Sequence, residues 1–185
     1  MGPLSNRSPL HARPAGLAVA ATVHAVGMLL IAVMMVAVIP SISSAQDGAS
    51  PPPARTGLAP DGHLQLHSAD ICPVCAMRPA KYAKFAAAIT LDDRRTYYFC
   101  SNGCMLRAWL HPKAFLNAAP GQRLMPTVQA FFTGRPMDAG QVTWVAGSDV
   151  MGPMGPAIVA LETPASADTF QKRHGGKFVF TLDEM

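Results

Sequence analysis

Short apolar runs separated by polar turns predict a strand–strand–helix–strand order between residues 84 and 132. Residues 84–91 and 96–99 are predicted to form a hairpin, with the polar residues 92–95 at its turn. A helix is predicted from Ser101 or Asn102 through Leu110, because apolar residues recur there at helical spacing behind a good N-cap residue. A third strand is predicted over residues 123–132.

The same order of elements recurs between residues 142 and 182. Strands are predicted over residues 142–146, 157–162 and 177–182. A helix capped by Thr163 or Ser166 is predicted to end at His174, where a Gly-Gly pair follows, as is typical of helix C-termini. Residues 147–156, rich in glycine, methionine and proline, are predicted to form a loop. The pattern therefore predicts an α+β fold made of two tandem ββαβ units.

A longer apolar run near the N-terminus predicts a transmembrane helix. Residues 16–39 include no charged side chain, and as a helix these 24 residues would be about 36 Å long, enough to cross a bilayer. Basic residues precede the run, and none follows before Arg55, so the positive-inside rule places the N-terminus in the cytoplasm. Cleavage after Ala45, as in a signal peptide, is the alternative, but the length of the run favours an uncleaved anchor.

These features divide the chain into three parts. Residues 1–45 are predicted to be the membrane anchor or signal segment, and residues 46–66, rich in Pro, Gly, Ala and Ser, a linker. Residues 67–185 are then the folded domain. The expected location is the inner membrane with this domain in the periplasm, or an exported domain if the chain is cleaved near Ala45.

Composition narrows the classes of function. Hydrophobic residues make up 50% of the chain and charged residues 14%, which excludes an intrinsically disordered protein. The part after Ala45 carries 13 basic and 11 acidic residues, so it is nearly neutral. No basic patch with interleaved aromatic residues indicates nucleic-acid binding. No catalytic or nucleotide-binding motif indicates an enzyme, so the sequence predicts a binding protein without catalysis.

The four cysteines form two close pairs, Cys72 with Cys75 and Cys100 with Cys104. The predicted hairpin between the pairs would bring them together, and thiolates at this spacing are typical of a four-sulfur metal site. Structural disulfides remain an alternative in an oxidising compartment. Thioredoxin-like exchange at Cys72 and Cys75 is less favoured, because the pair does not begin the helix of a βαβ unit.

Methionines favour a soft metal at this site. Met77 follows the first cysteine pair closely, and Met154 lies in a Gly/Pro-rich loop where the backbone can approach closely. Thioether and thiolate are soft donors that select monovalent copper. Met105 and Met125 are interpreted as core residues instead.

The motifs around these sulfurs resemble the NosL family, the copper accessory proteins of nitrous oxide reductase. The similarity is carried, in chain order, by Cys72-Pro73-Val74-Cys75-Ala76-Met77, Tyr98-Phe99-Cys100-Ser101, Ala108-Trp109-Leu110, Trp144-Val145-Ala146-Gly147-Ser148, Gly152-Pro153-Met154-Gly155 and His174-Gly175-Gly176. Together these span about residues 70 to 182, most of the exported domain. The order of several motifs makes the resemblance more specific than any one of them.

The resemblance implies a periplasmic, membrane-tethered metallochaperone that binds copper(I). It would pass the copper on for maturation of nitrous oxide reductase, together with an ABC-type transporter complex. It also implies a pair of ββαβ units similar to part of organomercurial lyase. The family signature matches Cys72, Cys75 and Met77, and the Gly-x-Met-Gly loop of the family matches Met154.

The chain departs from the family pattern at three points. The glycine of the signature is Ala76, and no cysteine precedes Cys72 for lipid attachment, so the N-terminal helix is expected to be the anchor. Cys104 completes a set with Cys72, Cys75 and Cys100 that also resembles the treble-clef modules called TRASH and YHS domains. A zinc or heavy-metal binding or sensing module on those four cysteines, and a copper chaperone for another cuproenzyme, are therefore the alternatives. A disulfide domain is a third hypothesis.

Overall fold

The computed structural model describes residues 52–185. The predicted transmembrane helix over residues 16–39 and the cleavage position at Ala45 lie outside these described residues. Within residues 52–185, every helix is too short or too polar to cross a membrane.

The first half of the domain is a four-stranded antiparallel sheet with two helices. Its strands are β1 (Ala87–Leu91), β2 (Thr96–Phe99), β3 (Leu124–Gln129) and β4 (Pro136–Asp138), in the order β2-β1-β3-β4. Helices α1 (Asn102–Leu110) and α2 (Pro112–Leu116) connect β2 to β3. The predicted hairpin and helix are therefore present, and α1 begins after Ser101, whose hydroxyl accepts a hydrogen bond from the Cys104 amide at 3.3 Å.

Two strand predictions in this half are too long. Residues 84 and 85 belong to a 3-10 helix, Pro79–Phe85, which begins at a proline that favours the first turn of a helix. Strand β3 ends at Gln129, because Ala130 starts a turn in which its amide donates to the Arg135 carbonyl and Gly134 adopts a φ of 70°. This turn returns the chain into β4, which the sequence pattern did not predict.

The second half is a three-stranded antiparallel sheet covered by a helix. Its strands are β5 (Thr143–Ser148), β8 (Val159–Leu161) and β9 (Gly175–Phe180), in the order β8-β5-β9, and the helix is α3 (Pro164–His174). The predicted loop after β5 contains a small hairpin of β6 (Met151–Gly152) and β7 (Gly155–Pro156). Thr163 is the N-cap of α3, and its side chain accepts a hydrogen bond from the Ser166 amide.

The α+β class is confirmed, and the order ββαβ occurs in each half, with α2, β4 and the small hairpin as additions. One face of the second sheet, with Trp144 and Ala160, joins the core of the first sheet and α1. The opposite face, with Val145, Val159 and Leu161, packs against Phe170 of α3. Strands β5 and β8 are therefore buried on both faces, whereas β9 is largely exposed, and Trp144 and Ala160 link the second half to the core of the first.

Residues 54–65, part of the predicted linker, form hydrogen bonds with the first sheet. The Ala54 amide donates to the Thr96 carbonyl at 2.7 Å. The buried Tyr98 hydroxyl donates to the Gly57 carbonyl at 2.8 Å and accepts from the Gln65 amide at 3.1 Å. Burial raises the pKa of Tyr98 above its ordinary value, which keeps this donor protonated.

Tyr98→Phe is predicted to lower the free energy of unfolding by about 1–2 kcal/mol, because it removes both hydrogen bonds and leaves their backbone partners unsatisfied. Urea denaturation of the chain measures this loss. Tyr82→Phe is the matched control, since Tyr82 is half-buried and its hydroxyl bonds to no other group among residues 52–185. Equal stability of the two variants would show that Tyr98 does not hold this segment.

Candidate metal centre

The first cysteine pair lies in a tight turn that reverses the chain. The Ala76 amide donates to the Cys72 carbonyl at 2.9 Å, and the Cys72 amide donates to the Met77 carbonyl at 2.8 Å. Closing this turn requires the left-handed conformation at Ala76, where φ is 61°. A side chain disfavours this conformation, so the glycine that the family signature carries here has a physical reason.

The second cysteine pair lies between the end of β2 and the first turn of α1. Cys100 follows Phe99, the last residue of β2, and Cys104 is the third residue of α1. The partial positive charge at the N-terminus of a helix favours thiolates nearby. The strand end and the helix start therefore place both sulfurs where a thiolate is stabilised.

The four cysteine sulfurs meet in one cluster, as the predicted hairpin requires. All four lie within 4.8 Å of one another. The Cys75 sulfur is 3.3 Å from that of Cys100, and the Cys104 sulfur is 3.8 Å from each of these two. At a metal–sulfur distance of about 2.3 Å, the edges of a tetrahedral four-sulfur site are about 3.8 Å long. The cluster therefore has the dimensions of a tetrahedral metal site, and its four thiols are free.

Hydrogen bonding concentrates negative charge on one sulfur of the cluster. Hydrogen bonds from the Cys100 and Cys104 thiols, with further ones from backbone amides, lower the pKa of Cys72 to about 2 despite its burial. The same thiol hydrogen bonds, to Cys104 and Cys72, together with burial raise the pKa of Cys100. The Cys100 thiol lowers the pKa of Cys104, but the hydrogen bond with Cys72 and burial outweigh it and raise that pKa to about 12.

The metal-free cluster thus favours the thiolate at Cys72 over Cys100 and Cys104, because neighbouring buried sulfurs cannot all carry negative charge without a cation. A bound metal ion would supply that positive charge and displace the thiol protons. Cys72, Cys100 and Cys104 are buried, whereas Cys75 is half-buried, so Cys75 is the sulfur nearest to solvent.

The two predicted methionine ligands, Met77 and Met154, differ in their exposure to solvent. Met77 is half-buried and packs against the core cluster that contains three of the cysteines. Met154 is 52% exposed at the turn between β6 and β7 and lines a cleft of about 200 Å³ together with Cys104. The structure therefore brings the four cysteines together and places Met154 in the lining of the same cleft as Cys104. Met105 is buried in the core as predicted, whereas Met125 is 40% exposed, contrary to its interpretation as a core residue.

Other residues of the cleft were not predicted as site residues, among them Phe85, Asn102 and Arg107. Asn102 is buried, its side-chain amide donates to the Ile158 carbonyl at 2.9 Å, and its Oδ1 has no partner among the described residues. This bond ties the start of α1 to the chain that follows the small hairpin. The sequence signal for it was weak, since Asn102 adjoins the N-cap and was interpreted only as a capping residue.

The fold and the cluster together are those of a small α+β domain suited to a soft metal ion. The family model NosL matches residues 63–185, more than half of the chain, so the chain belongs to the NosL family. Membership confirms the family predicted from the motifs.

A solved structure has the same fold. It is the crystal structure of the copper chaperone NosL from Shewanella denitrificans, which is 20% identical in sequence and superposes with a TM-score of 0.54. The match covers 69% of this chain and 97% of that chain. No curated protein sequence matches the chain.

Ala76→Gly is predicted to raise the free energy of unfolding of the metal-free chain by about 0.5–1 kcal/mol, because glycine removes the strain of the left-handed conformation. Urea denaturation of the metal-free chain measures whether this free energy rises or falls. The control is Ala119→Gly. Ala119 is exposed and its φ is not positive, so glycine there should only lower stability. A loss of stability at Ala76 as large as that at Ala119 would contradict the account of the turn.

Proposed function

We propose that the chain is a copper(I)-binding metallochaperone without catalysis of its own. The observation that carries this proposal is the convergence of four free cysteine sulfurs within 4.8 Å inside a NosL domain. The structural neighbour from Shewanella denitrificans is a copper chaperone, which supports copper as the cargo. The ligands are drawn from Cys72, Cys75, Cys100 and Cys104, with Met77 and Met154 as thioether donors.

The donor set favours copper(I) over harder ions. Every proposed ligand offers sulfur, and soft thiolate and thioether donors suit monovalent copper. Four thiolates already fill a tetrahedral site, so the methionines and all four cysteines do not bind one ion at once. A half-exposed thioether that lines the same cleft as a buried cysteine of the cluster suits transfer, because the metal can exchange sulfur ligands one at a time as it enters or leaves.

The second candidate function is a zinc or heavy-metal binding module of the treble-clef type. The specific observation in its favour is that the sulfur separations also fit a four-cysteine zinc site. In that case the metal would be a structural part of the fold, and Met154 would have no role. The two candidates therefore differ in their dependence on the methionine.

Met154→Leu is predicted to weaken copper(I) binding about tenfold and to leave zinc binding unchanged, because leucine keeps the bulk of methionine and removes the soft sulfur donor. Anaerobic titration of the reduced chain against a chromogenic copper(I) chelator measures the affinity, with about one copper expected per chain. Met151→Leu is the matched control, since Met151 lies in the same hairpin, is 61% exposed and is not among the residues lining the cleft. Tight zinc binding that is needed for folding, without preference for copper, would favour the zinc module.

We propose further that the chain delivers copper for maturation of nitrous oxide reductase, with an ABC-type transporter complex as a second partner. Membership in the NosL family supports this target. The uncharged run over residues 16–39 supports a location in the inner membrane with the domain in the periplasm. Tethering would hold the copper-binding domain in the compartment where the exported target matures.

Deleting the gene for this chain in a host that carries nitrous oxide reductase is predicted to lower the copper content of that reductase. Expression of the wild-type chain should restore the copper content, and expression of the Cys72→Ser variant should not. Metal analysis of the purified reductase measures the effect. Protease treatment of spheroplasts from the same strain checks the location of the domain. A fully loaded reductase, with copper lost from a different cuproenzyme, would favour delivery to that enzyme.

A further inference from the structure

Two contacts join the end of α3 to the segment that leads into the small hairpin. The Asp149 amide donates to the His174 carbonyl at 2.9 Å. The side chains also meet, with His174 Nδ1 2.9 Å from Asp149 Oδ1. Asp149 lies two residues before β6, so these contacts hold the base of the hairpin that carries Met154.

His174 is itself held firmly by its surroundings. Its ring lies against Phe170 at a centroid distance of 4.9 Å and against Phe131 at 6.0 Å. The backbone leaves α3 through Gly175 and Gly176, whose φ values are 69° and 143°. A Cβ at Gly176 would overlap the side chain of Val145, so glycine is required where the chain passes this close directly after His174.

The hairpin has little support of its own. Strands β6 and β7 have two residues each, and such short pairs are marginal without further contacts. The Ala157 amide closes the base by donating to the Val150 carbonyl at 2.8 Å. The position of the Met154 thioether over the cleft therefore depends on how the base at Asp149 and Val150 is held.

We propose that His174 is a positioning residue for the metal site: paired with Asp149, it holds the base of the hairpin that keeps Met154 in the lining of the cleft it shares with Cys104. The inference rests on the proposed role of Met154 as a copper(I) ligand. In this arrangement His174 acts through the base of the hairpin and not as a ligand, since the group of possible metal ligands among the described residues comprises the four cysteines without His174. It raises copper(I) affinity only through the methionine.

A double-mutant cycle on the full chain tests this coupling, with copper(I) alone as the probe and a chromogenic chelator as competitor. His174→Ala is expected to weaken copper(I) binding roughly fivefold in the wild-type background and to have no effect in the Met154→Leu background. In the Met77→Leu background the fivefold loss should persist, because Met77 lies on the cysteine turn. Asp149→Asn should retain the affinity, since its side-chain oxygen still accepts from Nδ1.

Zinc affinity of the same variants distinguishes a positioning role from damage to the fold. With a positioning role, zinc affinity should stay unchanged while copper(I) affinity falls. If His174→Ala does not fold, Asp149→Ala removes the same side-chain pair at an exposed position and should give the same coupling with Met154→Leu. Independent losses from His174→Ala and Met154→Leu would overturn the inference and assign His174 a separate role. No loss from Met154→Leu alone would instead remove Met154 as a ligand, and the positioning role with it.

Discussion

The antiparallel pairing of β1 with β2 is the constraint on which the metal centre depends. Its register sets Ala87 opposite Phe99, so that β2 ends and α1 begins beside the turn that carries Cys72 and Cys75. A shift of one residue would turn every side chain of β2 to the other face of the sheet. Cys100 would then leave the cluster, and the 3.3 Å approach of its sulfur to that of Cys75 would be lost.

The same constraint links the site to the core. Cys72, Cys100 and Cys104 belong to the hydrophobic cluster that also contains Trp144 of the second sheet. Burial is what keeps three of these sulfurs away from solvent and makes more than one thiolate costly in the absence of a cation. Metal binding and packing are therefore coupled, since an ion that satisfies the thiolates also removes the electrostatic penalty inside the core.

The elements whose formation depends mainly on neighbouring residues could be predicted from the sequence. The aromatic and β-branched run Thr96–Phe99 and the helix Asn102–Leu110 have the predicted bounds, and both cysteine pairs were found from spacing alone. Long-range contacts decided the rest. Strand β4 pairs only because a turn at Gly134 returns the chain to β3, and the cleft lined by both Met154 and Cys104 requires the second half of the chain to pack on the first. At Ala76 the fold overrides the local preference. The turn requires a positive φ there, although the alanine side chain disfavours it.

X-ray absorption spectroscopy of the copper-loaded chain tests the central claim most directly, because it counts and identifies the atoms bound to copper. The account predicts copper in the monovalent state with a first shell made only of sulfur. A shell containing nitrogen or oxygen donors, or divalent copper that persists under reducing conditions, would contradict a site built from the cysteine cluster and its methionine.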